Sequence, residues 1–214
     1  MLELGLKFTL AYLIGGLMGA LVVGRLRGGI DIRQMGSGNA GGTNALRTQG
    51  KAFAAGVMLV DVGKGILAVA VLPGLPLPLV GIDPAVDREI VLHAVAFGAI
   101  LGHVFPLWYG FRGGKGGATA AGLVLFLAPL LGLGVIGVWL AIVFFTGYVG
   151  LATMTATCLA ALWLAVFELP ERQALFAFAC FVAGLTLFTH RANLARMLRG
   201  EESRFRRFFG LRSR

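Results

Sequence analysis

Charge is what this sequence has least of. Only 14% of its 214 residues are Asp, Glu, Lys or Arg, against about 25% in an ordinary soluble domain. So little polar surface cannot cover the apolar interior of a water-soluble globule, and so much apolar residue does not stay disordered. That excludes a cytosolic enzyme, a secreted domain and a disordered chain. Cysteine is nearly absent. Cys158 and Cys180 sit inside apolar runs, with no CxxC spacing and no histidine close by. Neither a disulfide framework nor a metal site follows, and both are read as small core hydrophobes. What is present is apolar: 57% hydrophobic residues with 33 glycines and a mean hydropathy of +0.85. Glycine is frequent in membrane helices, where it lets backbones pack closely. The composition therefore predicts an all-α integral membrane protein.

A helix needs about 20 apolar residues to cross about 30 Å of hydrocarbon. Clear candidates are 2–24, 52–72, 90–105, 151–167 and 173–189. The first of these lacks a basic segment before it and is too long for a signal-peptide core, so it is kept as a span. The stretch 118–145 is either one helix of about 42 Å or two short ones broken near Pro129–Gly134. Charge decides between them. With two short spans, fourth and fifth of seven, 15 Lys and Arg share one side and only Arg88 and Arg172 lie on the other. The positive-inside rule then puts the N-terminus outside and the C-terminus in the cytoplasm. A net charge of +9 is thus assigned to orientation and anionic lipid rather than to nucleic acid. The basic tail 190–214, with Phe205, Phe208 and Phe209 among its arginines, reads as an amphipathic segment on the inner surface.

Three polar segments interrupt the helices, all on the basic side. The first runs Gly36-Ser37-Gly38-Asn39-Ala40-Gly41-Gly42-Thr43-Asn44-Ala45-Leu46-Arg47. Its glycines let successive N–H groups converge on an anion, and Ser37, Asn39, Thr43, Asn44 and Arg47 add donors suited to phosphate. The second contains His103, then Gly113-Gly114-Lys115-Gly116-Gly117, and leads into a helix start. It is not a Walker A loop, because Tyr109 stands at the first glycine position and Gly116 at the hydroxyl position. The third is His190-Arg191-Ala192-Asn193-Leu194-Ala195-Arg196, with Glu202 shortly after. On a helix His190, Asn193 and Arg196 fall on one face. A phosphate site at the bilayer edge suits a substrate with a charged head and an acyl tail.

Two further charges lie inside a span. Asp61 and Lys64 are three apart and can pair on one helix face, as a structural ion pair or as functional groups. They are also the features that favour the alternative reading, a transporter of phosphate or a phosphorylated lipid. His93 is read as a lone polar core residue. None of the three histidines has Asp five positions later; Gly98, Trp108 and Ala195 stand there. The His-x4-Asp pair common in transferases that use acyl-CoA or acyl carrier protein is missing. With Asp61 the one aspartate inside a span, no magnesium site and no cofactor are expected.

The strings GSGNAGGTNALRTQGK, DVGKG, GHVFPLWYGFRGGKGGAT and HRANLARMLRGEE resemble the bacterial acyl-phosphate:glycerol-3-phosphate acyltransferase (PlsY) family, in the same order and over most of the chain. The resemblance implies a seven-helix enzyme in one domain, 1–214, of the bacterial inner membrane, with its active site on the cytoplasmic face. It implies transfer of a fatty acyl group from acyl phosphate to the 1-position hydroxyl of glycerol 3-phosphate, giving lysophosphatidic acid and phosphate. An upstream enzyme making acyl phosphate is an implied partner, and membrane lipid the surroundings. The family motifs fall on Ser37, Asn39, Thr43, Asn44 and Arg47; on His103, Gly113, Gly114, Lys115 and Gly116; and on His190, Asn193, Arg196 and Glu202. Of these Lys115, Arg47, Ser37 and His190 are the catalytic candidates, His190 as general base or as orienting group. Gly42, Gly117 and Leu194 depart from the common family residues. The turn 146–150 lacks a usual serine, for which Thr146 or Thr153 is a substitute.

Overall fold

The computed structural model describes residues 1–205. Among them nine α-helices form, and extended pairing is confined to one bridge between Leu77 and Gly81. The chain divides into two compact units, Met1–Phe126 and a second that begins at Leu127. Residues 206–214, which include Phe208 and Phe209 of the expected amphipathic tail, lie outside the described residues.

In the first unit α1 (Leu2–Gly15) and α2 (Gly19–Leu26) are two arms of the expected first span, bent by 46°. Next come α3 (Gly42–Gln49), α4 (Lys51–Val71), α5 (Arg88–Val104) and α6 (Gly117–Leu127). α1 lies closely along α5, and glycine makes this possible. A Cβ added at Gly15 would strike the Ala99 carbonyl, and one at Gly102 the Tyr12 carbonyl. Contact at that range is the usual means of holding membrane helices together, since lipid supplies no hydrophobic drive between them.

The ends of α1 and α5 also share a buried polar network that the apolar pattern hides. Glu3 and Lys7 are fully buried and paired at 2.6 Å. Arg88 grips both carboxylate oxygens of Glu3, at 2.7 and 3.0 Å, and the Asp83 N–H donates to Oε2 at 2.8 Å. Lys7 also donates to the Pro73 carbonyl at 2.9 Å. The signal was the i,i+4 spacing of Glu3 and Lys7 within an apolar run.

The second unit holds α7 (Pro129–Thr146), α8 (Val149–Phe167) and α9 (Gln173–Leu198). The 118–145 stretch is indeed two helices, with the break at Ala128. Pro129 opens α7, where its missing N–H costs nothing and its ring turns Ala128 out of helical geometry. The break comes at the start of the Pro129–Gly134 window, so the residues divide unequally. α6 is short, 11 residues or about 16 Å, whereas α7 has 18, about 27 Å. The expectation of a short fifth span is therefore corrected.

By length and composition, α4, α5, α7, α8 and α9 suffice to cross a membrane. The bent α1–α2 pair makes a sixth candidate, and α6 is a shorter apolar helix. α9 runs nine residues past the expected end at Thr189, because nothing breaks it before Gly200. Residues 190–198 are thus helix rather than tail. Cys158 and Cys180 are free and exposed, which corrects their reading as core residues. α8 buries Ala152, Ala156 and Ala160 at helical spacing, and Cys158 lies off that stripe. Cys180 likewise lies beside the buried Phe178, Val182 and Leu185 of α9.

Candidate active site

The first polar segment is half loop and half helix. Sequence reasoning took Gly36–Arg47 as a glycine-rich loop, and missed that residues 42–49 form α3. The loop before it turns on Gly36 and Gly38, at φ +58° and +72°. Asn44 holds it together. Its carboxamide oxygen accepts from Ser37 N–H at 3.0 Å, and its NH₂ donates to the Ile32 and Met35 carbonyls at 2.9 and 3.0 Å. The side chain is buried with both donors spent, so Asn44 orders the loop instead of offering itself to phosphate.

What that order presents is the start of α3. Gly41 caps it with no side-chain hydrogen bond, so its first-turn amides keep their affinity for an anion. Ser37 and Arg47 are exposed nearby in sequence, and Asn39 and Thr43 half-buried. Ile32, Ala40 and Ala45 anchor the segment in a core with Met18, Phe53 and Val57, and Tyr109 packs on that core. Arg33 is committed: it forks onto Asp31 at 2.7 Å, holding that carboxyl below its usual range, and stacks over Tyr109. Asn44→Ala is expected to destabilise the loop locally by about 2–3 kcal/mol, since three backbone groups lose their partner. Faster hydrogen exchange at Ser37 N–H with helix content unchanged is the check.

The second segment folds back onto the end of α5. Gly113 N–H donates to the Val104 carbonyl at 3.2 Å and Gly114 N–H to the His103 carbonyl at 3.1 Å. Those two amides are therefore tied down, not aimed at an anion as a nest would require. Their work is to hold the chain so that Lys115 and Gly116, at φ +85°, lead into α6. The Gly114 backbone lies against the Nε2 edge of the His103 ring, where a Cβ would collide with Nε2. His103 is buried, and so is not an open substrate contact. Its Nδ1 lies 2.8 Å from Lys64 Nζ, and Lys64 pairs with Asp61 at 3.2 Å. The pair suspected in the sequence is real, with His103 as its third member. Asp61 also accepts from Gly19 N–H at 3.0 Å, and Lys64 donates to the Leu17 carbonyl at 2.8 Å. These two bonds satisfy the backbone at the α1–α2 bend, where apolar surroundings offer no other partner.

The third segment belongs to the second unit. His190, Asn193 and Arg196 share one face of α9, as their spacing predicts. His190 is buried, and its Nδ1 is 2.8 Å from the Thr186 carbonyl. A carbonyl only accepts, so Nδ1 carries the proton and a neutral ring keeps its lone pair on Nε2. Gly150 of α8 passes close enough that a Cβ would touch both Asn193 and His190. Glu202 accepts from Asn193 Nδ2 at 2.7 Å and from Arg196 Nε at 2.6 Å. It is a clasp across the end of α9, not a substrate contact; its charge would repel a phosphate. The clasp is secured by Arg204 donating to the Tyr148 hydroxyl and by Phe205 N–H donating to the Gly147 carbonyl. Thr146 and Thr153 both donate to carbonyls one turn back, Ile142 and Val149, which leaves neither hydroxyl proton for phosphate. Among the described residues no group of three His, Cys, Asp or Glu is placed to hold a metal ion.

Comparison with known proteins gives the family and the fold. The family profile described as glycerol-3-phosphate acyltransferase matches residues 6–200. A glycerol-3-phosphate acyltransferase of Rhodospirillum rubrum is 39% identical over 95% of this chain and 91% of its own. One from Bacillus cereus is 38% identical over 92% of each. A crystal structure of PlsY, an integral membrane glycerol 3-phosphate acyltransferase in its glycerol 3-phosphate form, superposes with a TM-score of 0.79. It is 33% identical and covers 94% of this chain and 95% of that one. The lysophosphatidic acid form of PlsY gives 0.78, at 32% identity and 94% coverage of each chain.

Proposed function

The chain belongs to the glycerol-3-phosphate acyltransferase family, and from that premise we propose that its acyl donor is an acyl phosphate. The hydroxyl at position 1 of glycerol 3-phosphate attacks the acyl carbonyl directly. The new ester C–O bond forms, the carbonyl–phosphate C–O bond breaks, and the hydroxyl proton leaves with inorganic phosphate. Lysophosphatidic acid is the other product. A mixed anhydride is activated already, so no acyl-enzyme is needed, and catalysis reduces to holding two phosphates and stabilising charge.

The observation that carries this reading is the pair of ordered glycine-rich segments in the first unit. Each leads into a helix start, and each carries a cation, Arg47 or Lys115. Arg47 and Lys115 are assigned to phosphate, with Ser37, Asn39 and Thr43 as donors at the α3 start. Asn44, His103, Gly113, Gly114 and Gly116 shape the segments. Among the residues of the second unit, His190 is the proposed base or orienting group, and Glu202 fixes Asn193 and Arg196. The proposal includes seven crossings, made by α1–α2, α4, α5, α6, α7, α8 and α9. The N-terminus is outside and the reaction takes place at the cytoplasmic face of the inner membrane. The transporter alternative rested on Asp61 and Lys64, and both are engaged in packing.

Phosphate release by the purified protein in lipid nanodiscs tests the donor. Release from palmitoyl phosphate is expected to require glycerol 3-phosphate and to match lysophosphatidic acid formed. Turnover with palmitoyl-CoA alone would replace the donor, and transport of glycerol 3-phosphate without turnover would replace the enzyme.

A further inference from the structure

Asp61, Lys64 and His103 keep 1%, 5% and 2% of their surface exposed. An ammonium has three N–H donors and no lone pair. Lys64 Nζ has three acceptors around it: the Leu17 carbonyl at 2.8 Å, His103 Nδ1 at 2.8 Å and Asp61 Oδ1 at 3.2 Å. Each donor thus has one acceptor. Were Nδ1 itself protonated, the ammonium would face a donor, and the ring would depend on Asp61 at 3.5 Å. The shorter contact is to Lys64. His103 therefore accepts at Nδ1, and its own proton sits on Nε2. Nε2 is the ring atom that faces Gly114, the residue before Lys115. Asp61 cannot trade places with Lys64, because its Oδ1 also accepts from Gly19 N–H. Its Oδ2 is buried with no hydrogen-bond partner among the described residues.

We propose that Asp61 and Lys64 are positioning residues for the Lys115 segment: Lys64 locks His103 in the Nε2–H tautomer, and the ring, held with Nε2 against the Gly114 backbone, fixes the segment that carries Lys115. The inference rests on the proposed phosphate role of Lys115. It goes further by explaining why two charges are carried inside a span of an enzyme whose reaction does not use them. Asp61 keeps Lys64 charged and oriented, Lys64 orders the ring, and the ring orders the loop. The fixed ring also means that the Lys115 segment needs no reorganisation when the phosphate arrives.

The test is ¹⁵N NMR of the full chain, labelled at histidine, in nanodiscs. Three histidines are present, and His103→Gln identifies the resonances of His103 by their loss. The expected wild-type spectrum shows Nδ1 unprotonated and Nε2 protonated. In Lys64→Met the nearest polar neighbour of Nδ1 becomes Asp61, so Nδ1 is expected to gain the proton. kcat/KM for acyl transfer should then fall about tenfold, because the ring that holds the Lys115 segment is no longer fixed. A wild-type Nδ1–H overturns the proposal on its own, whether or not the variant folds. So does a folded Lys64→Met protein with kcat/KM unchanged. A wild-type protein with the expected spectrum and no acyl transfer would leave the tautomer standing and sink the acyltransferase reading instead.

Discussion

Replacing Glu3 with Ala is expected to lower the thermal midpoint of the purified protein by on the order of 10 °C. The carboxylate receives Lys7 and, through both oxygens, Arg88, together with the Asp83 N–H. Its removal leaves the Lys7 ammonium fully buried with the Pro73 carbonyl as its remaining hydrogen-bond acceptor. Breaking one side of a buried pair is far worse than never having had the pair, because the orphaned charge keeps its desolvation cost. The double variant Glu3→Leu with Lys7→Leu is therefore expected to recover much of the loss. A fluorescence melt of the three proteins in the same detergent checks this. Equal midpoints for wild type and Glu3→Ala would show that the network carries no stability.

How much of this was legible beforehand depended on which physical signal was involved. Hydropathy located the apolar stretches, since twenty apolar residues have one use, while the charge balance divided 118–145 in two and Pro129 marked the break. The bend after Gly15 was not legible. Gly15 and Gly16 permit it, yet it is held by Lys64 and Asp61, some 45 positions away in sequence. Glu3 escaped notice because a single carboxylate among apolar residues barely changes a hydropathy average. At the site, residue types indicated phosphate chemistry and spacing placed His190, Asn193 and Arg196 on one face. Roles within each segment were the weak point. Asn44, Gly113, Gly114 and Glu202 looked like ligands for a substrate, and their hydrogen bonds go to the protein itself. Polar residues that build a loop and those that use it have the same composition. Only the direction of each donor separates them.

That distinction sharpens what Lys115 should do. The amides on its N-terminal side are fastened to the last carbonyls of α5, and α6 starts just after it. The ammonium is thus carried on a stiff base, and little of its binding energy goes to ordering the loop. Lys115→Ala is expected to lower kcat/KM for acyl transfer 10²- to 10³-fold, the range for removing one preorganised charge-stabilising donor. The split between constants identifies the phosphate that it holds. In the proposed reaction the departing phosphate gains negative charge as the anhydride C–O bond breaks, so a cation there binds the transition state more tightly than the substrate and its loss lowers kcat. The phosphate of glycerol 3-phosphate keeps the same charge throughout, and a cation there contributes equally to both states and appears in KM. The expected result is a fall in kcat, with Lys115→Arg recovering only part of it because the broader guanidinium fork does not replace a compact ammonium between two glycines. A rise in the glycerol 3-phosphate KM at unchanged kcat would move Lys115 to the acceptor's phosphate. Full activity in Lys115→Ala would remove the second segment from the reaction altogether.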